Sequence, residues 1–545
     1  MMKFSFCFLF VSLFLFSCQE SNRPSKNDAE AFTVESMGKH MSILASDEFE
    51  GRMPCSPGED KTVSYLIDEL KEMGLKAGMG SSYTQDVPLI EIEGFPDDKM
   101  VLDYGNEKVN LNILDDYVIH SQRKADEVSI KDSELVFCGY GIVAPERDWN
   151  DFKGMDLKGK TAVVLINDPG FGGQDSTFFK GNTMTYYGRW TYKYEEADRQ
   201  GADGLLIIHE TSSAGYPWTV VKSSWTGGQQ GLSGMDRSND CGMKGWVSLD
   251  TAKELFDKAG LDMAKEIRAA RKQDFQPKSL KAKASINIRN KYTECTSQNV
   301  MAVYPGSKRA DEYIVYTAHW DHIGIGRKVK EDSIYNGALD NATGVTALLE
   351  IAKAFTLSDK KPERSIAFLF VTAEEQGLLG SEYYVTNSSI PLNKMVCNLN
   401  MDGVNPAGKM KDFTIVGMGH SEMDEYAENA AYEDGRYVMN EVEPEKGYFY
   451  RSDHFNFAKA GIPALYAEGG YDHWDKGKDY AIKFKDGYVK DRYHAPSDEF
   501  DAEEWNFDGF IQDAKIYYRI GNNMANSQDW PKWYEDSEFR RAIVK

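Results

Sequence analysis

From about residue 285 onward, compact apolar runs alternate with amphipathic stretches. Tyr313–Thr317, Ser365–Val371, Met395–Met401 and Ile462–Ala467 read as strands, rich in apolar residues as burial on both faces requires. Between them, Thr343–Phe355 sets Val345, Leu348, Leu349 and Ala352 on one side of a helix. Leu378–Val385 and Ala502–Ala525 read as further helices. Strands alternating with helices predict an α/β fold, a mainly parallel, doubly wound sheet with helices on both faces. Sheets of this kind bind ligands in the crevice beyond the carboxyl ends of their strands.

The first half is patterned differently. Lys61–Met73 is an amphipathic helix candidate, with Val63, Leu66, Ile67, Leu70 and Met73 at helical spacing and Gly74 as its stop. The polar segment Leu44–Arg52 before it reads as a loop, and 84–131 as short alternating strands. A second unit starts near Glu134. It has strands at Leu135–Tyr140 and Thr161–Ile166, a helix at Lys193–Gln200 ended by Gly201, and a strand at Gly204–His209. Residues 212–246, rich in Gly, Ser and Trp and without periodicity, read as loop, and Thr251–Ala269 as a helix. At 545 residues the chain exceeds the roughly 250–300 at which a single core stops growing. The expected division is a main domain over 32–133 and 286–545, with a smaller β-rich α/β unit inserted at 134–285.

Residues 1–31 fall outside that scheme. Lys3 precedes an apolar stretch, Phe4 to Phe16, too short to span a bilayer comfortably. It ends in Leu15-Phe16-Ser17-Cys18, which resembles a bacterial lipobox. Residues 1–18 are thus read as a signal segment and 19–31 as a polar tether. The expectation is an exported chain held in the bacterial cell envelope, touching membrane only through a lipid on Cys18. Ordinary signal cleavage is the alternative. A net charge of -23 argues against nucleic acid, which requires a basic footprint. Five cysteines follow Cys18 at wide spacings without a CxxC pair. That argues against a disulfide framework or a thiolate metal site and leaves room for one or two bridges. Nothing in the pattern fixes an oligomeric state.

The candidate chemistry sits just after the apolar runs: His319 with Asp321, Asp340, Glu374 with Glu375, Asp402 and His494. Carboxylates and imidazoles are zinc ligands, and a carboxylate can bridge two ions. His319 and Asp321, two apart, suit an imidazole on metal and a carboxylate that orients it. Asp340 opens a loop into a helix, a natural place for a bridge. The side chains of the neighbours Glu374 and Glu375 diverge, so one can bind metal while the other acts as general base. Asp402 supplies a further oxygen, and His494 stands in a loop stiffened by Pro496. Tyr493 is the candidate donor to a developing oxyanion. Each motif alone is weak, but in this order and at strand ends they point to a two-metal hydrolase. His322, His454 and His473 read as packing or supporting groups.

These residues resemble the co-catalytic zinc metallopeptidases, a family including bacterial leucyl aminopeptidases, the transferrin-receptor fold and glutamate carboxypeptidase II. The resemblance rests on His319-x-Asp321, Gly337–Gly344, Glu374-Glu375-x-Gly377-Leu378-x-Gly380-Ser381, Asn400-x-Asp402, Ser452-Asp453-His454 and Tyr493-His494. It implies the zinc exopeptidase fold and two zinc ions. His319 and Asp402 would hold one ion, Glu375 and His494 the other, and Asp340 would bridge them. Glu374 would be the base acting on a water between the ions, and Asp321 the partner of His319. The resemblance also implies a cis peptide at Asp340-Asn341. Residues 134–285 resemble a protease-associated domain through Phe137–Ile142, Leu157–Val164 and Ala197-x-x-x-Gly-Ala202. The implied function is a metallo-exopeptidase acting on peptides, with an aminopeptidase as the leading reading. A carboxypeptidase or amidohydrolase, a glutaminyl-cyclase-like transferase and a receptor-like binding module are the alternatives.

Overall fold

The computed structural model describes residues 31–540. The signal segment, Cys18 and nearly all of the tether therefore lie outside the described residues. Helix α1 (Val34–Leu44) and a 3-10 turn at Asp47–Arg52 replace the expected loop at 44–52. Helix α2 (Pro57–Glu72) begins earlier than the periodicity alone indicates, because Ser56 caps it and Pro57 occupies its first turn.

Strand β1 (Thr84–Pro96) pairs antiparallel with the long strand β2 (Lys278–Tyr304). The C-terminal end of β2 then lies against the sheet that carries the candidate residues. That sheet uses β3 (Arg309–His319), β4 (Arg364–Val371), β5 (Met395–Asn400), β6 (Asp412–Ile415), β7 (Tyr437–Asn440) and β8 (Ala464–Glu468). Its order is β2-β4-β3-β5-β8-β6-β7. The central strands β4-β3-β5-β8 are parallel, whereas β2 and β6 join antiparallel to their neighbours β4 and β8. Helix α3 (Thr343–Leu357) packs under the sheet with α4 (Phe507–Asn526). Phe355, Tyr518, Tyr316 and Phe368 belong to the same core. The architecture is mixed α/β with a parallel centre, as the alternation predicts.

A second apolar core joins Phe137, Val163, Leu206 and Phe256 to Met100, Leu102, Leu111 and Ile130. Strands at Lys99–Asp103 and Glu127–Phe137 pair with the first half of β2. Met100, Leu102, Leu111 and Ile130, which precede residue 134, thus pack in the same core as residues that follow it. Residues 212–246 are not all loop: they contain a helix at Trp218–Ser224 and strands at Gly228–Leu232 and Met243–Val247. The expected helix Thr251–Ala269 is two, broken at Gly260, whose φ of 74° suits a residue without Cβ. Cys55 and Cys295 form a disulfide that ties the start of α2 to β2, while Cys138, Cys241 and Cys397 are free and buried. Among the described residues no helix is long and apolar enough to cross a membrane.

Candidate metal centre

The candidate residues leave the C-terminal ends of the parallel strands. His319 ends β3, Glu374 and Glu375 follow β4, and Asp402 follows β5. Asp340 lies in an irregular turn, Ala338–Ala342, which feeds α3, and its peptide bond to Asn341 is cis. His494 follows the helix Gly477–Asp491 and has φ 54°, as do Ala373 at 54° and Leu378 at 62° around the glutamate pair. Left-handed backbone at non-glycine residues gathers at sites where the surroundings over-determine geometry.

The side chains converge. His319 Nε2 lies 3.2 Å from Asp402 Oδ1, 3.3 Å from Asp340 Oδ1 and 3.9 Å from Glu374 Oε2. On the other side, His494 Nε2 lies 3.3 Å from Asp340 Oδ2 and 3.0 Å from Glu375 Oε2. Each oxygen of Asp340 thus faces a different imidazole. Two sets of donor atoms result, His319 with Glu374 and Asp402, and His322 with Asp340 and Glu375. Within each set the atoms lie within 4.8 Å of one another. Donors around one tetrahedral zinc at about 2.0–2.2 Å stand roughly 3.3 Å apart, close to the spacings here.

The electrostatics favour cations. Among the described residues no lysine or arginine forms an ion pair with Asp340, Glu374, Glu375 or Asp402, whose ion-pair partners are imidazoles. Burial pushes the Glu374 carboxyl well above its usual range, with help from Asp402 and Glu375. Burial opposes charge on His319 and His494 too, but the surrounding carboxylates win. His319 is held well above its ordinary value and His494 at about 10. Asp340 and Glu375 are correspondingly lowered, against their burial, by the imidazoles. Without a cation, protons on imidazole balance the carboxylates, and a bound metal would displace them. This nitrogen and oxygen donor set fits zinc.

Asp321 faces both His319 and the glutamate turn. His319 Nδ1 lies 3.1 Å from the main-chain oxygen of Asp321 and 3.8 Å from its carboxylate. That carboxylate accepts the N–H groups of Glu374 at 3.1 Å and Glu375 at 3.4 Å, pinning the glutamate turn. Burial pushes its pKa to about 8. Tyr493 is half exposed and stacks on His494 with ring centroids 3.9 Å apart. That stacking sets the ring at the border of the centre.

Sequence reasoning assigned no role to several residues that hold the centre together. Buried Asp498 accepts the N–H of Leu339 and of Asp340 at 3.1 Å, together with the Tyr488 hydroxyl at 3.2 Å. Asn341 donates to Met401 O and accepts from the N–H of Gly344 and Gly403, joining its own turn to the loop after β5. Ser452 donates to Asp402 Oδ2 at 2.7 Å. Arg52, 1% exposed, donates to the carbonyls of Trp320, Leu44, Asn336 and Gly337 at 2.5–2.8 Å. Asn341 stands inside the motif Gly337–Gly344, and Asp498 follows His494 by four residues. Arg52 ends an otherwise polar segment, where only a tertiary fold reveals its burial.

Residues 299–518, which contain every candidate residue, match Peptidase family M28. The chain is 29% identical over 136 residues to Aminopeptidase YwaD of Bacillus subtilis (strain 168), covering 25% of this chain. It is 31% identical over 169 residues to Leupeptin-inactivating enzyme 1 of Streptomyces exfoliatus, covering 31% of this chain. These stretches span only 27% and 35% of the two relatives' own lengths. Among solved structures, an aminopeptidase from Aneurinibacillus sp. strain AM-1 aligns over 91% of this chain and 94% of its own. That alignment has 20% identity and a TM-score of 0.48.

Proposed function

We propose that this chain belongs to Peptidase family M28 and is a zinc-dependent exopeptidase, an aminopeptidase that removes residues from peptides outside the cytoplasm. The observation that carries the reading is Asp340, whose two oxygens each lie 3.3 Å from a different imidazole. A carboxylate so placed suits a bridge between two ions. The family match over the same stretch and the aminopeptidase names of relatives support the reaction class.

In this reading His319, Asp402 and Asp340 would hold one zinc, and Asp340, Glu375 and His494 would hold the other. Zinc, when bound, supplies Lewis acidity that polarises the scissile carbonyl and acidifies a water. Glu374 takes the proton from the attacking water and passes it to the departing amine. Asp321 fixes Glu374 and Glu375 through their main-chain N–H groups, and Ser452 fixes Asp402. Tyr493, stacked on His494, would donate to the carbonyl oxygen as it becomes negative.

Export and anchoring through Cys18 belong to the same proposal. The Cys55–Cys295 disulfide supports an oxidising compartment. The deciding experiment is digestion of a free and an N-acetylated peptide library by the zinc-loaded protein, read by mass spectrometry. Stepwise loss of N-terminal residues from the free peptides alone is expected. Trimming from the carboxyl end would favour the carboxypeptidase reading, and no hydrolysis at all the binding module.

A further inference from the structure

His322 follows Asp321 directly, and its surroundings are unlike those of a packing histidine. The ring is fully buried, wedged against Gly337, where any Cβ would collide with it. Neither ring nitrogen has a hydrogen-bond partner of ordinary geometry. Buried imidazoles with nothing to bond are uncommon, because desolvating a polar nitrogen without compensation costs free energy. One approach stands out: His322 Nδ1 lies 2.6 Å from Glu375 Oε1, an oxygen that likewise has no other partner.

Glu375 therefore divides its two oxygens between two imidazoles. Oε1 faces His322, and Oε2 faces His494 at 3.0 Å on the side of Asp340. The rings of His322 and His494 stand edge to face, 5.7 Å apart, so the glutamate is flanked by both. A carboxylate free to rotate offers either oxygen, or both, to a cation. One whose Oε1 is occupied by an N–H offers only the other, in a fixed direction.

We infer that His322 is a positioning residue: by donating Nδ1–H to Glu375 Oε1, it aims Oε2 at the ion shared with Asp340 and His494. The inference rests on the two-ion reading above and concerns only the ion on the Glu375 side. Groups that orient metal-binding carboxylates typically change metal affinity about 10–100-fold when removed. His319, Asp402 and Glu374 do not touch His322, so the other ion keeps its affinity.

The test uses the full-length protein stripped of metal and titrated with Zn²⁺ against a chromophoric chelator. Elemental analysis gives the stoichiometry at saturation, and circular dichroism checks the fold. For His322→Ala, two ions at saturation are expected, with only one of them loosened by about 10–100-fold. His322→Asn, whose amide can place an N–H near the position of Nδ1, should recover most of that loss. Wild-type affinity at both sites in His322→Ala would reduce His322 to packing. Loss of one ion even at saturating zinc, unrestored in His322→Asn, would make it a ligand instead. Both results overturn the inference. A wild-type protein that saturates at a single ion would instead refute the two-ion reading.

Discussion

Replacing Arg52 by lysine tests whether the metal centre is held from behind by one buried side chain. The guanidinium donates to four carbonyls: Trp320 O from Nε, Leu44 O and Asn336 O from Nη1, and Gly337 O from Nη2. Trp320 sits between His319 and Asp321, and Gly337 begins the turn that presents Asp340. Burial lowers the arginine to about 10, against the pull of Asp321 and Asp498, so it remains charged at neutral pH. A lysine ammonium is a single point with three donors and lacks the planar fork. It cannot serve carbonyls spread around Nε, Nη1 and Nη2 together. If two of the four bonds are lost at about 1.5 kcal/mol each, Arg52→Lys destabilises the fold by roughly 3 kcal/mol. That is a large share of the 5–15 kcal/mol typical of a domain. Urea unfolding followed by tryptophan fluorescence, with m unchanged, measures the shift. A loss below about 0.5 kcal/mol, the range of an ordinary surface change, would show that the four contacts do not support the loops.

Glu374→Gln should keep its zinc yet lose on the order of 10²–10⁴ in turnover, as expected when a general base is removed. Near-full activity on an aminoacyl reporter would reassign the base. Asp340→Ala should fall well below the wild-type metal content in elemental analysis after dialysis, since both sides of the centre share this carboxylate. Retention of the full complement would rule out a bridge. Acid should destabilise the wedge where the C-terminal segment packs. Burial and Lys180 lower His420 to about 4 from 6.5. The unfolded chain therefore takes up a proton below about pH 6.5 that the folded chain refuses until about 4, and stability falls through that window by up to about 3 kcal/mol. His420→Phe, which keeps the ring beside Phe449, should flatten this slope in thermal melts taken between pH 4 and 6.5. An unchanged slope would clear His420.

The positions of His319, Glu374, Glu375 and Asp402 were legible because each ends or follows a buried apolar run. Tyr313–Thr317 is the core of Arg309–His319, and Ser365–Val371 is nearly the whole of Arg364–Val371. Elements that bury little were illegible for the same reason. The helix Gly477–Asp491 buries only Ala481 and so shows no apolar face. The Cys55–Cys295 pair spans 240 residues of sequence, a separation that no local pattern reports. The partners of Arg52, Asp498 and His322 are matters of tertiary contact. Residue type suggested none of them, and His322 in particular reads as packing until Glu375 is seen beside it.

Strand β2 runs unbroken for 27 residues, first against Glu127–Phe137 and Lys99–Asp103 and then against β4 beneath the centre. At about 3.3 Å per residue its contour is roughly 90 Å. One continuous ribbon thus serves as edge to two hydrophobic cores, and no flexible linker separates them on the return path of the chain. Displacement of the second unit has to be taken up as bending or twisting of β2, with the register shifts at Ser279/Lys283 and Ala284/Ile286 as its softest points. Strain applied to the outer unit is thereby delivered along the backbone to the Cys295–Tyr304 end, one strand away from the turn that carries Glu374 and Glu375.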